Sequence, residues 1–168
     1  GSLDKSFGTD GIFSEILKDD HDTLLTYFYS GHFMIAKLQR DNKIVVVGTA
    51  DASYPQHPII LMFRLLPNGS LDPTFGRKGV VCNNTFGEFG TQAMEIQADD
   101  KIVVSGDPRG ADNFQTLLRY MPNGTIDSSF GINGKVTNTL VKNNEKALAM
   151  LPDGRILALF DGFGVARY

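Results

Sequence analysis

The side chains best suited to chemistry form an acidic cluster with one imidazole. Asp19, Asp20, His21 and Asp22 are consecutive, and carboxylate oxygens and imidazole nitrogens are ligands of divalent cations. Their spacing fits neither an EF-hand loop nor the Cys and His pairs of a zinc site. We therefore interpret the cluster as a solvated acidic turn and predict no metal site.

A wider set of aromatic, imidazole and charged side chains falls in segments whose length differs along the chain. Aromatic rings in such loops either pack locally or stack on a sugar or peptide, and the second interpretation predicts a protein or carbohydrate ligand as the partner. The candidate ligand-binding residues are Asp20, His21, Asp22, Tyr29, His32, Tyr54, His57, Phe89 and Arg109.

Known catalytic signatures are absent from the sequence. Gly87-Glu-Phe-Gly90 lacks the lysine of a phosphate-binding loop, and neither Gly-x-Ser-x-Gly nor His-Glu-x-x-His occurs. The sequence has three histidines and one cysteine, Cys82. We predict no catalytic residue and no cofactor, and favour a non-catalytic binding or scaffold module. The alternative is a hydrolase or lyase that acts on polysaccharide with carboxylates and histidines of the same loops.

Composition narrows the class of protein. The 168 residues are 42% hydrophobic and carry a net charge of −3, with no basic run longer than Arg77-Lys78. This charge does not favour nucleic acid, and no apolar stretch is long enough for a membrane span. We expect one folded domain, located outside the cell or on its surface.

The elements that position these residues are repeats. One phrase occurs three times, as Gly1-Ser-Leu-Asp-Lys-Ser-Phe-Gly8, Gly69-Ser-Leu-Asp-Pro-Thr-Phe-Gly76 and Gly124-Thr-Ile-Asp-Ser-Ser-Phe-Gly131. Such recurrence indicates a repeat protein. It divides the chain into predicted units 1–68, 69–123 and 124–168.

Each unit predicts four short strands. Asp41-Asn42, Asp99-Asp100 and Asp153-Gly154 stand between apolar runs, where they favour hairpin turns. The Asp of each phrase precedes Ser or Thr by two residues, a pattern typical of a turn closed by the carboxylate. Twelve strands in three antiparallel units predict an all-β fold, either a β-propeller or a β-trefoil.

The repeat resembles the delta-60 repeat of bacterial proteins. The resemblance rests on Leu-Asp-x-Ser/Thr-Phe-Gly, on Gln-x-Asp-x-Lys-Ile-Val-Val-x-Gly, and on Leu-x-Arg followed by Pro-Asn-Gly, and it is strongest in residues 69–123. It implies a β-propeller of unknown function with three four-stranded blades. Three blades do not close a ring, so either two copies self-associate into a closed ring or the chain is part of a longer propeller.

The lengths of the repeats predict where a ligand binds. From the Gly that opens the first strand to the residue that opens the third is 32, 22 and 21 residues in the three units. From the end of the third strand to an aligned Arg (Arg64, Arg119, Arg167) is 16, 13 and 7 residues. Both variable connections fall on one face of an up-and-down sheet, the predicted ligand face. The aligned Arg residues either line a channel or pair with the phrase Asp of the next unit, which we favour.

Overall fold

The computed structural model describes residues 1–18, 34–52, 57–86, 89–108, 114–142, 145–160 and 164–168. Within these ranges the regular secondary structure consists of strands. The eleven strands are β1 (Ile35–Leu38), β2 (Ile44–Ala52), β3 (His57–Leu65), β4 (Val80–Asn83), β5 (Phe89–Ile96), β6 (Ile102–Pro108), β7 (Phe114–Tyr120), β8 (Lys135–Lys142), β9 (Glu145–Met150), β10 (Ile156–Phe160) and β11 (Gly164–Arg167).

The strands form three antiparallel sheets in which neighbours in sequence are neighbours in space. The first sheet has the order β1-β2-β3-β4, the second β5-β6-β7-β8 and the third β9-β10-β11. Successive up-and-down sheets of this kind are propeller blades. The predicted all-β propeller fold is therefore confirmed in preference to the trefoil. The described part of the third sheet has three strands where four were expected.

The sheets are offset from the repeats of the sequence. Strand β4 follows the phrase Gly69–Gly76 but pairs with β3, with Phe63 opposite Val80, and β8 pairs with β7 in the same way. The predicted unit boundaries after residues 68 and 123 thus fall inside sheets. The physical reason is that the phrase folds back on its own sheet, where the Asp72 amide donates to the Arg64 carbonyl and the Arg64 amide to the Gly79 carbonyl.

Five-residue turns join the first two strands of every sheet, at residues 39–43, 97–101 and 151–155. Their fourth residues have positive φ, 63° at Asn42, 62° at Asp100 and 85° at Gly154. Asn, Asp and Gly tolerate this left-handed conformation better than other residues. The predicted turns at these positions are confirmed.

Apolar side chains fill the spaces between sheets. Between the first and second sheets the fully buried residues include Val47, Met62, Met94 and Leu118, and Phe75 of the phrase lies among them. Between the second and third sheets Val103, Leu117 and Leu148 pack together. The outer face of the first sheet is covered by Phe7, Phe13 and Leu17 of the N-terminal segment. The burial of these apolar side chains makes the main favourable contribution to the free energy of folding.

Each phrase also contacts the sheet that comes next. The amide of Gly76 donates to the carbonyl of Asn123 at 2.8 Å, and the amide of Gly8 donates to the carbonyl of Asn68 at the same distance. The phrase therefore closes one sheet and joins it to the following one.

Candidate functional site

The sheets present two faces of different character. One carries the five-residue turns and the phrase connections, which are fourteen residues long in both the first sheet (66–79) and the second (121–134). We call it the constant-turn face. The opposite face carries the strand ends that lead into connections of four, five and three residues between the second and third strands. We call it the variable-connection face.

The main polar cluster of the constant-turn face is built around Arg64, whose side chain is 7% exposed. Its Nε donates to Oδ2 of Asp72 at 2.9 Å, and its Nη2 donates to Oγ1 of Thr74 at 3.1 Å. Its Nη1 donates to the carbonyl of Pro122, in the phrase connection of the second sheet, at 2.5 Å. The guanidinium carbon lies 4.8 Å from the centre of the Phe75 ring. A buried cation with this many partners is a fixed structural group.

The second sheet repeats the cluster. Arg119 Nε donates to Oδ2 of Asp127 at 2.8 Å and lies over the ring of Phe130 at 4.4 Å. The last residue of the five-residue turn, a lysine, completes each cluster, with Lys43 at 3.4 Å from Asp72 and Lys101 at 3.3 Å from Asp127. The predicted pairing of the aligned Arg with the phrase Asp of the next repeat is thus confirmed twice.

The same carboxylates close the phrase turn. Asp72 Oδ1 accepts from the backbone amide of Thr74 at 3.0 Å and from its hydroxyl at 2.6 Å. Ser129 makes the equivalent bonds to Asp127 at 3.1 and 2.5 Å, and Ser6 makes them to Asp4 at 2.9 and 2.6 Å. The predicted carboxylate turn is therefore confirmed in all three phrases.

These contacts keep the carboxylates ionised. Burial acts to raise the pKa of Asp72, but the hydrogen bonds from Thr74 and the charges of Arg64 and Lys43 outweigh it and lower the pKa to about 2. Hydrogen bonds from Ser129 lower the pKa of Asp127 to about 2 against a smaller effect of burial. A general acid needs the opposite shift. The cluster is suited to holding the fold together.

Of the predicted ligand-binding residues, most lie outside the described part of the chain. These are Asp20, His21, Asp22, Tyr29, His32, Tyr54 and Arg109, together with the neighbouring Asp19 of the acidic cluster. His57 is the first residue of β3, opposite Ala52 of β2, at the variable-connection face. Phe89 begins β5 and is completely buried in the core between the first two sheets. Its ring is therefore a core side chain, in contrast to the surface role expected for it.

Described polar groups also lie toward the variable-connection face. Gln92 Nε2 donates to Oδ1 of Asp107, one residue before the end of β6, at 3.2 Å. The hydroxyl of Thr49 donates to the carbonyl of Phe89 at 3.3 Å, and the amide of Thr91 donates to that hydroxyl at 3.0 Å. The last two bonds join the first and second sheets and fix the relative position of their strand ends.

A second contact between sheets was not predicted. Asn83 Nδ2 donates to the hydroxyl of the buried Tyr120 at 2.9 Å, and Asn138 Nδ2 donates to the hydroxyl of Tyr168 at 3.0 Å. Burial raises the pKa of Tyr120 above its usual range. The signal was present in the sequence, because each Asn stands four residues after an aligned Gly and each Tyr follows an aligned Arg.

The described residues contain neither a metal centre nor a membrane-crossing helix. Within the described ranges, no three His, Cys, Asp or Glu side chains are placed to hold a metal ion together. The same ranges contain no helix with the length and apolarity needed to cross a bilayer.

Comparison with known proteins identifies the repeat. A family model described as "Domain of unknown function (DUF5122) beta-propeller" matches residues 39–75 and 97–130. Each matched segment begins at the first turn of a sheet and ends at the Phe of the phrase. No curated protein matches the sequence. The predicted resemblance to a repeat propeller of unknown function is confirmed over the two matched segments.

Proposed function

We propose that the protein is a non-catalytic binding or scaffold module that holds a carbohydrate or protein ligand on its variable-connection face. The observation that carries the proposal is the contrast between the two faces. The turns have the same length in all three described sheets and the phrase connections have the same length in the first two, whereas the connections at the opposite strand ends differ. Binding residues are concentrated on variable loops held by a rigid scaffold.

The charges of the constant-turn face support this division. Arg64, Asp72, Arg119 and Asp127 are committed to the ion pairs that hold each sheet to its phrase. A ligand that recruited them would have to break buried bonds, which costs more than it gains. The variable-connection face therefore remains for recognition, with Tyr54, His57, Arg109 and the 19–32 segment as its candidate contacts.

The lowered pKa values of the turn carboxylates assign these side chains to structure rather than to acid catalysis. Five described carboxyl groups have shifted pKa values, and all five are lowered, at Asp4, Asp41, Asp72, Asp127 and Asp153. Glycoside hydrolysis needs a carboxylic acid whose pKa is raised. None of these five groups meets that need.

The test is to probe glycan and peptide arrays with the labelled protein. We expect bound spots that disappear in the double variant Tyr54→Ala/His57→Ala. The matched control is Asp99→Ala, an exposed substitution on the constant-turn face, which should leave binding unchanged.

Equal loss in both variants, or no bound spot at all, would overturn the proposal. Release of reducing ends or of unsaturated sugars from a bound polysaccharide would instead establish the hydrolase or lyase alternative. That activity should then be lost in the same double variant.

A further inference from the structure

We propose that the third sheet is completed by residues 1–17 of a second copy of this chain, with Asp4 of one copy paired to Arg167 of the other. The first two sheets each have a fourth strand that follows a phrase. In the described residues, the third sheet ends at β11 without one. Residues 1–17 contain a phrase and the apolar residues that follow it, which is the same order of sequence that leads into β4 and β8.

The ion pairs of the third sheet are incomplete in the same way as its strands. In the first two sheets the aligned Arg pairs with a phrase Asp eight residues later, at 2.9 and 2.8 Å. Arg167 is exposed and pairs with no carboxylate of the described residues. Asp4 is exposed and pairs with no described Arg, although its turn with Ser6 has the same geometry as the others. Within the described residues, the same motif therefore leaves one cation and one anion without the partner that the motif has in the first two sheets.

Exposed apolar side chains mark the surfaces that would meet. Val165 is 62% exposed, while Met62 and Leu117, at the equivalent positions of the first two sheets, are 0% and 1% exposed. Leu159 is 41% exposed, while its equivalents Val47 and Ser105 are fully buried. Both side chains lie on the same face of the third sheet. In the first and second sheets, the equivalent face is covered by the sheet that follows.

The N-terminal segment offers the complementary surface. Ile12 is 52% exposed, whereas the equivalent Val80 in β4 is 7% exposed. Phe13 of the same segment packs against Phe63 with ring centres 5.4 Å apart, so the segment already lies on the first sheet. In the proposed contact, Ile12 of one copy occupies the position in the third sheet of the other copy that Val80 has in the first sheet. Ile12 then pairs with Ala166, as Val80 pairs with Phe63.

This docking brings one copy's first sheet against its partner's third sheet. The contact then reproduces the arrangement between the first and second sheets, with strand pairing at the edge and apolar packing on the face. Two such contacts, head to tail, close a ring of about six sheets, within the size range of propellers. A second copy fits better than an unrelated partner because the edge, the charge and the apolar face all match the chain's own segment.

Sedimentation equilibrium of the 168-residue protein at micromolar concentration tests the proposal. We expect twice the 18.4 kDa mass of one chain. Arg167→Glu and Asp4→Lys should each weaken self-association at least about tenfold, an effect of about 1.4 kcal/mol in binding. The double variant Asp4→Lys/Arg167→Glu should associate more tightly than either single variant, because the ion pair is restored with its charges exchanged. Arg40→Glu, which changes a cation that is 69% exposed in the turn 39–43, away from residues 1–17 and from the third sheet, is the matched control and should behave as the wild type.

A monomeric wild-type protein would overturn the proposal and assign the open edge to a further repeat of a longer chain. A dimer that is indifferent to Asp4 and Arg167, or a double variant no tighter than the singles, would also overturn it. Circular dichroism of each variant shows whether it is folded, and both side chains are exposed enough that we expect all variants to fold.

Discussion

Replacing Asp72 with Asn removes the negative charge that pairs with Arg64 but keeps the side-chain oxygen that closes the turn. An amide oxygen can close this turn, because Asn68 Oδ1 accepts from the amide of Ser70 at 3.1 Å and from its hydroxyl at 2.8 Å. Asp72→Asn therefore keeps the bonds to Thr74. In place of Asp72 Oδ2, the substituted side chain would present an NH2 group to the Nε donor of Arg64. The substitution thus removes the ion pair and leaves a buried guanidinium without its anion.

The structure sets the size of the effect. The lowering of the Asp72 pKa from 3.8 to about 2 is equivalent to roughly 2 kcal/mol of stability. Removal of one partner from a buried ion pair costs about 3–5 kcal/mol. Since Arg64 and Asp72 are 7% and 3% exposed, we expect Asp72→Asn to lower the free energy of unfolding by about 2–5 kcal/mol.

Urea unfolding at neutral pH measures this loss, with Asp153→Asn as the control. Asp153 also has a pKa lowered to about 2, but its pair with Arg155 is about half exposed. Solvent screens such a pair, so the control should lose much less stability than Asp72→Asn. Equal losses in the two variants would contradict the assignment of the effect to burial.

The pH dependence gives an independent check. The pKa of Asp72 is lower in the folded protein than in the unfolded chain, so its contribution is complete above the unfolded pKa of 3.8 and is lost as the pH falls toward 2. The gap between wild type and Asp72→Asn should therefore narrow below about pH 4. A gap that stays constant down to pH 2 would refute the charge-based reasoning.

Two further predictions concern backbone strain and the contact between sheets. Gly69 and Gly154 both have positive φ, 81° and 85°, so alanine is strained at either position. At Gly69 an added Cβ would also lie 2.5 Å from the Gly8 nitrogen, whereas at Gly154 it would meet nothing within 4 Å. Thermal unfolding should show a loss of about 1–2 kcal/mol for Gly154→Ala and a larger loss for Gly69→Ala, and equal losses would disprove the clash. Tyr120→Phe leaves Asn83 without its buried partner and should cost about 1–3 kcal/mol in urea unfolding, whereas an unchanged midpoint would show that the hydrogen bond contributes nothing.

Local chemistry made much of the fold predictable. The turn 39–43 depends on one residue that tolerates positive φ, Asn42, and the phrase turn depends on an Asp two residues before Ser or Thr. The pairing of Arg64 with Asp72 was also accessible, because both recur at a constant spacing in the sequence. Each of these features is determined over fewer than about ten residues, where pattern and structure correspond closely.

Features that depend on distant segments were harder to predict. A periodic sequence does not mark where a sheet begins, so β4 was assigned to the following unit rather than to the preceding sheet. Phe89 stands beside glycines in a segment of variable length, which suggested a loop, but packing between two sheets determines its burial. The candidate ligand face rests on connection lengths alone, since its side chains vary from repeat to repeat and give no recurring pattern.

The offset between repeats and sheets has a consequence for how the protein unfolds. Because β4 and β8 come from the repeat that follows their sheet, neighbouring repeats are interlocked rather than merely stacked. Opening one repeat removes an edge strand from its neighbour and also removes the Arg–Asp pair that crosses the junction. In a linear array, strong coupling between neighbours suppresses partly unfolded states. Denaturation should therefore proceed as one cooperative transition, and the repeats gain resistance to local opening that none of them has alone.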